Sequence, residues 1–298
     1  MKSLHVGVGI LVAVLASGSP AQASPIDLGT AGPSFYAVLT LAGDLTSDHT
    51  NLNMNSGTTT GNVGVASKST TTSTFHFDNP GILNGNVYLG SNATLANTGT
   101  INGTIFTNQD VKLNQAVTDA QTAAATYGAL LAGGCAQCTT LTTINTSSNL
   151  TINGGAGQNV LHLTDLSLNG AVLTLNAPAT AQFILDVSGT FAVGGGSGAG
   201  IVLAGGIAPQ DVLINYTGTT DLHTSGPVAN IFGIILAEQA NIGFSNAHIT
   251  GEVISGGTSV QIVSGSFVTT PPVPEPASLV LLGSGLAGLA MWRRKKAA

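Results

Sequence analysis

Cys135 and Cys138, in the run Gly134-Cys135-Ala136-Gln137-Cys138, are the only cysteines in the chain. A Cys-x-x-Cys pair becomes a redox centre when a helix N-terminus lowers the pKa of one thiol. Here an alanine-rich segment precedes the pair, so the thiols follow a helix C-terminus, the end that does not favour a thiolate. Structural zinc needs four ligands, and no histidine lies near the pair in sequence. A short loop staple fits best, provided the chain folds in an oxidising compartment.

The other reactive groups are dispersed. His49, His76, His162, His223 and His248 show no metal-ligand spacing and read as polar surface positions on a regular scaffold. Asp44 and Asp48 form the closest acidic pair, and no Asp-Asp doublet of the pectin-hydrolase kind occurs. A glycosidase would need two carboxylates brought together in space, which the sequence leaves open. Gly194-Gly195-Gly196-Ser197-Gly198-Ala199-Gly200 lacks the aspartate that a calcium-binding nonapeptide supplies. No catalytic, cofactor or metal residue is assigned.

The two ends of the chain decide its compartment. Lys2 is followed by an apolar stretch from Val6 to Ala16 and then by Ala21-Gln22-Ala23, the pattern of a secretory signal peptide cleaved before Ser24. At the other end Val273-Pro274-Glu275-Pro276 precedes an uncharged run from Ala277 to Trp292, and Arg293-Arg294-Lys295-Lys296 follows. An apolar run closed by cations enters a bilayer and leaves its positive cluster on the cytoplasmic side. As a helix it reaches roughly 24 Å, somewhat less than the ~30 Å hydrocarbon core, so it anchors weakly. Residues 24–270 are then the folding unit, flanked by residues 1–23 and by a sorting and anchor segment at 271–298.

Removing both ends leaves Lys68 and Lys112 as the body's only basic residues, out of seven in the chain, while acidic residues number thirteen overall. A body with no arginine cannot neutralise a row of phosphates, so nucleic acid is excluded as a partner. An acidic-polysaccharide lyase would equally lack the cation that holds substrate carboxylates.

Within the body a short unit recurs: Thr60-Gly61-Asn62-Val63, Asn84-Gly85-Asn86-Val87, Asn102-Gly103-Thr104-Ile105 and Thr250-Gly251-Glu252-Val253. Glycine accepts the turn, and the β-branched residue after it opens a strand. Between these turns, apolar residues alternate with Asn, Thr and Ser, as in Leu166 with Leu168, Phe183 with Leu185 and Val187, and Val260 with Ile262. Period-two alternation sends one set inward and the other to water. Spacings of about two dozen and then eighteen residues suit the coils of a solenoid. The expected fold is mainly β: an irregular parallel β-helix rather than a hairpin-linked sandwich. One segment, 115–132, breaks the pattern with Val117, Ala120, Ala124, Tyr127 and Leu131 at helical spacing. Asn114 can cap its start and Gly133-Gly134 its end, giving one long helix beside the coils, long enough to span five or six of them.

These features resemble known families. The tail with Pro274, Glu275 and Pro276 and the basic stop at Arg293 to Lys296 resembles the PEP-CTERM sorting segment, which implies an exosortase-type membrane protease, transient membrane anchoring and release into the extracellular polysaccharide zone. The Thr-, Asn- and Gly-rich solenoid with a helix between its halves looks like ice-binding-like β-solenoid proteins. The runs Leu166–Thr190 and Ile234–Asn241, with Ile249-Thr250-Gly251-Glu252-Val253-Ile254, are similar to choice-of-anchor A adhesin-like domains. Two non-enzymatic readings follow: a surface or biofilm-matrix protein holding neutral polysaccharide along a polar face, or an ice binder using Thr58-Thr59-Thr60, Thr70-Thr71-Thr72 and Thr140 to Thr143. Those threonines are bunched, which suits loops better than a regular array, so polysaccharide leads.

Overall fold

The structure is a computed structural model that describes residues 23–41, 49–55, 57–68, 71–138, 142–196 and 198–271. The expected signal peptide, the Pro274-Glu275-Pro276 motif, the apolar run and the basic cluster lie outside these residues, as do Asp44 and Asp48. Among the described residues no helix is long and apolar enough to cross a membrane.

The alternating runs become strands of a parallel β-solenoid. Ala181, Phe183, Leu185 and Val187 are buried in Ala181–Val187, while on the opposite face Gln182 and Asp186 are only partly covered and Ile184 is buried. Among the described residues every pairing between named strands is parallel, and the antiparallel contacts are isolated bridges. Parallel pairing of successive turns satisfies the backbone groups of interior coils and leaves one continuous apolar column inside. Phe75, Phe77, Phe183, Phe191 and Phe244 fill it together with Val, Leu and Ile from all three sides.

Three sheets run along the column. The first follows the order Ile105–Phe106, Val87–Leu89, Val63–Val65, Val38–Thr40, Ala247–Ser255, Ala229–Ala237, Val212–Tyr216, Ala181–Val187, Gly157–Asn169. The chain therefore begins in mid-stack. It coils outward to Phe106, crosses to the far end through the helix, and coils back until Val253 lies beside Val38. The second sheet runs Thr142–Thr146, the end of Gly157–Asn169, Phe191–Gly194, Leu222–Ser225, Ile242–Ser245, Ser259–Val263, Asn51–Met54, Ser73–Phe77, Ala93–Asn97. The third runs Leu150–Asn153, Val172–Asn176, Gly200–Ala204, the starts of Ala229–Ala237 and Ala247–Ser255, then Phe267–Thr269, Thr58–Thr60, Ile82–Asn84, Thr100–Ile101. The corner between the third and first sheets is built by the recurring unit. A Cβ on Gly85 would come 2.1 Å from the Gly61 carbonyl oxygen, and one on Gly103 2.0 Å from that of Gly85, so only glycine lets these coils stack. Asparagines then lock the corner: Asn86 N–H donates to Asn62 Oδ1 at 3.0 Å, and Thr104 N–H to Asn86 Oδ1 at 2.9 Å.

The helix, α1, spans Asp110–Gly128 and lies on the outer surface of the first sheet. It touches Val87–Leu89 and Ala181–Val187, strands six spacings apart in that sheet. Six spacings of about 4.8 Å match the roughly 28 Å length of its 19 residues. Small side chains allow the close approach: Ala116, Ala120, Ala123 and Ala124 share a buried cluster with Leu39, Ile184, Leu213, Ile234 and Ile254. The segment before the first strand seals one flank, where Thr30 N–H and Oγ1–H both donate to Asp119 at 2.7 Å. These bonds hold the Asp119 carboxyl below the usual carboxylate range.

The helix bounds differ from those expected. Asn114 lies inside α1, exposed, and Leu131 is beyond its end and 90% exposed. Long-range contacts set both ends. Gln109 N–H still donates to Leu89 of the sheet, and Asp110 accepts from Ser91 N–H at 2.9 Å, which starts the helix before Asn114. Gly128, rather than Gly133-Gly134, marks the exit, where its backbone comes against Asn215.

Candidate functional site

With the first sheet covered by α1, the second and third sheets are left to meet the surroundings. Two partly or fully exposed rows run along the third sheet. In one, Thr151 aligns with Thr174 and Val202, then Phe232 with Thr250, Thr269, Thr60 and Asn84. Asn102 continues it, donating from Nδ2 to Asn84 Oδ1 at 2.9 Å. In the other, Asn230, His248 and Phe267 are neighbours, and the His248 and Phe267 rings stack with centroids 4.3 Å apart at 27°. None of these residues is an aspartate, glutamate, lysine or arginine.

The recurring unit therefore does two things. Its glycine turns the corner, and the Thr or Asn before it, in Thr60, Asn84, Asn102 and Thr250, supplies the outward row. The bunched threonines contribute less. Thr58 and Thr60 are exposed, but Thr59 points inward and is 2% exposed. Thr71 and Thr72 precede the strand Ser73–Phe77. Thr70, Thr140 and residue 141 lie outside the described residues. Thr151, Thr174 and Thr269 were not legible as members of a row, because alignment between coils depends on register.

Hydroxyls and amides repeated about every 4.8 Å can donate and accept along a line. The stacked rings add an apolar platform with a polar edge. Together they suit a neutral, ring-shaped, hydroxyl-rich ligand.

Other expected positions are placed as follows. His162 is not a surface position: its Nδ1 lies 2.9 Å from Asp186 Oδ2 and its Nε2 2.8 Å from the Leu130 carbonyl, tying the chain after α1 to the first sheet. Asn215 joins in, donating to Asp186 Oδ1 at 2.8 Å. His76 and His223 are exposed on the second sheet. Among the described residues no group of three or more His, Cys, Asp or Glu could hold a metal. Lys112 rests 3.6 Å from the centre of the Tyr88 ring, an internal cation–π contact. Cys135 and Cys138 are joined at 2.06 Å in the loop that follows α1.

The family model described as "Putative Ice-binding-like adhesive domain" matches residues 29–266. The chain belongs to that family. The PEP-CTERM protein-sorting motif matches residues 272–295. Among solved structures the fold is similar to an ice-binding protein from an Antarctic biological consortium, with 20% identity, 85% of this chain and 94% of that chain covered, and a TM-score of 0.50. It is also similar to a glycosylated ice-binding protein from an Arctic yeast, with 18% identity, 85% and 96% covered, and a TM-score of 0.54. At such identities the likeness concerns the fold. A comparison with curated proteins returns no match. The sorting motif implies processing by an exosortase, a membrane protease, and with the adhesive domain it marks an exported protein with transient membrane anchoring.

Proposed function

We propose that this protein is an adhesive component of the extracellular matrix whose third sheet holds neutral polysaccharide. The observation that carries this reading is the His248–Phe267 stack set beside an uncharged row of Thr and Asn. Sugar rings present apolar faces to such a platform and hydroxyls to flanking amides. Each contact is weak, and repetition along one rigid face sums them. The test is retention of the exported protein on isolated neutral exopolysaccharide. We expect Phe267→Ala to lower retention up to about tenfold, the loss of one stacked ring, while exposed Ser91→Ala on another part of the surface leaves it unchanged. Equal retention of both variants, or none by the parent, refutes the reading.

A second reading, ice binding, has one observation in its favour: Thr151, Thr174, Thr250, Thr269 and Thr60 occupy the same outward row. Val202 and Phe232 interrupt that row, and the bulky His248–Phe267 pair stands beside it. A flat water-ordering array would be more regular, so polysaccharide is preferred. Ice shaping by the exported protein, lost on replacing Thr250 and Thr269 by Lys, would reverse that order.

The mature chain in this proposal runs from near Ser24 to about residue 270, stapled by Cys135–Cys138. Intact mass of the exported protein checks all three points: loss of the first 23 residues, loss of the tail, and a mass lower by two hydrogens. Two free thiols would remove the staple from the proposal.

A further inference from the structure

We propose that Asn102, at the last corner of the solenoid, is a site of covalent modification, where the chain converts its own side-chain amide to aspartate and isoaspartate. Asparagine followed by glycine is the pair most open to this reaction, because the glycine nitrogen reaches the asparagine Cγ with no side chain in the way. The chain holds four such pairs, Asn84-Gly85, Asn102-Gly103, Asn153-Gly154 and Asn169-Gly170. A glycine N–H committed to a hydrogen bond is withheld from the attack until the fold opens locally. Gly154 N–H donates to the Asn176 carbonyl at 2.9 Å and Gly170 N–H to that of Gly194, so two pairs are held. Asn84-Gly85 is enclosed between coils. The Asn84 carbonyl accepts from Gly61 N–H at 3.0 Å and its Oδ1 from Asn102 Nδ2 at 2.9 Å, and a Cβ on Gly103 would come 2.0 Å from the Gly85 carbonyl oxygen.

The common direction of the coils singles out Asn102-Gly103. At this corner the glycine N–H points to the next coil, as that of Gly61 does to Asn84. Asn102 N–H is taken by the Leu83 carbonyl of the coil behind at 2.8 Å, which leaves the Gly103 N–H facing away from the stack. Thr100–Ile101 and Ile105–Phe106, on either side, are paired among the described strands only with the coil behind, so no described coil lies beyond to receive that N–H. At the other end of the stack the same polarity turns the Gly154 N–H inward, onto Asn176. Asn102 and Gly103 are both exposed, so water reaches them. In the reaction the Gly103 nitrogen gives its proton to solvent and bonds to Asn102 Cγ, while the Cγ–Nδ2 bond breaks and that nitrogen leaves as ammonia. Water then opens the cyclic imide at either of its carbonyls, giving aspartate or, with the main chain rerouted through Cγ, isoaspartate. Either product ends the outward row in a carboxylate, the first charge in residues 79–109, which hold none.

The test is peptide mapping by mass spectrometry on the full chain, exported, purified in mild detergent and kept in warm, mildly alkaline buffer, beside the same chain unfolded in urea. In the folded protein we expect conversion at Asn102 at least about tenfold faster than at Asn84, Asn153 or Asn169, since bonding and enclosure slow those three. In the unfolded chain all four should convert at similar rates. Asn102→Thr places at this corner the residue that Thr60 and Thr250 supply at others. It should leave circular dichroism and the other three sites unchanged, and remove the acidic species that isoelectric focusing shows accumulating in the parent. Equal conversion at the four sites in the folded protein, a faster rate at any of the other three, or an Asn102 that stays intact while the unfolded chain converts would each overturn the proposal.

Discussion

A carboxyl group that is neutral in the fold but ionised in the unfolded chain ties stability to pH, and Glu252 is such a group. It occupies the slot after the corner glycine that Asn62 and Asn86 fill in other coils, where each asparagine accepts a bond from its neighbour. In its own coil Glu252 is fully buried, and neither carboxylate oxygen has a hydrogen-bond partner. Burial raises its pKa well above the ordinary glutamate value, and burial also pushes the Asp211 carboxyl up to about 6. The sign follows from a folded pKa raised over the unfolded one. The favourable contribution is complete below the ordinary carboxylate range and is lost as pH rises through the folded value. Stability should therefore fall from pH 4 towards neutrality, with the Asp211 part complete a little above 6. Glu252→Met keeps the volume and removes the unsatisfied, ionisable carboxyl group, so it should stabilise at pH 7 by about 1–3 kcal/mol, the cost of an unsatisfied buried group. Thermal melts of both proteins from pH 4 to 8 check this; parallel curves would show that Glu252 is not the source. The same slot was legible as part of a repeat, whereas the burial of Glu252 beside Tyr36 depends on residues far away in sequence.

Elements were legible in proportion to how local their cause is. Strand alternation in Phe183 to Val187 and the corner glycines are written in adjacent residues and stand where the sequence placed them. The helix was legible as an element, since Ala120, Ala124 and Tyr127 do form its buried stripe. Its ends were not, because Ser91 and Leu89 fix the start across the fold. His162 likewise carried no local sign that Asp186 and Leu130 would enclose it. The seam between α1 and the first sheet is close because its helix side chains are small. Ala120, with no exposed surface, should accept Leu only at about 1–3 kcal/mol of overpacking strain, whereas Leu at exposed Ala125 should stay within about 0.5 kcal/mol. Urea unfolding of the two variants checks the difference, and equal midpoints would mean that the helix is loosely seated.

At the scale of the molecule, a solenoid, a helix beside it and an uncharged exterior follow from composition, repeat and patterning. The order of the coils does not. Nothing in the spacing of Gly61, Gly85 and Gly103 tells that the first coil lies in the middle of the stack, or that the helix carries the chain from one end to the other. The outward row of the third sheet has the same dependence: Thr60 meets Thr269 only because the returning coils close on the first ones.

That closure has a bearing on biogenesis. Val38 is flanked by Val63 on one side and by Val253 on the other, so a chain emerging amino end first keeps a bare strand edge until residue 253 has followed. The sorting motif begins its match at residue 272, just behind. Closure of the solenoid and emergence of the sorting motif thus fall close together, and a product truncated upstream of residue 253 would lack both.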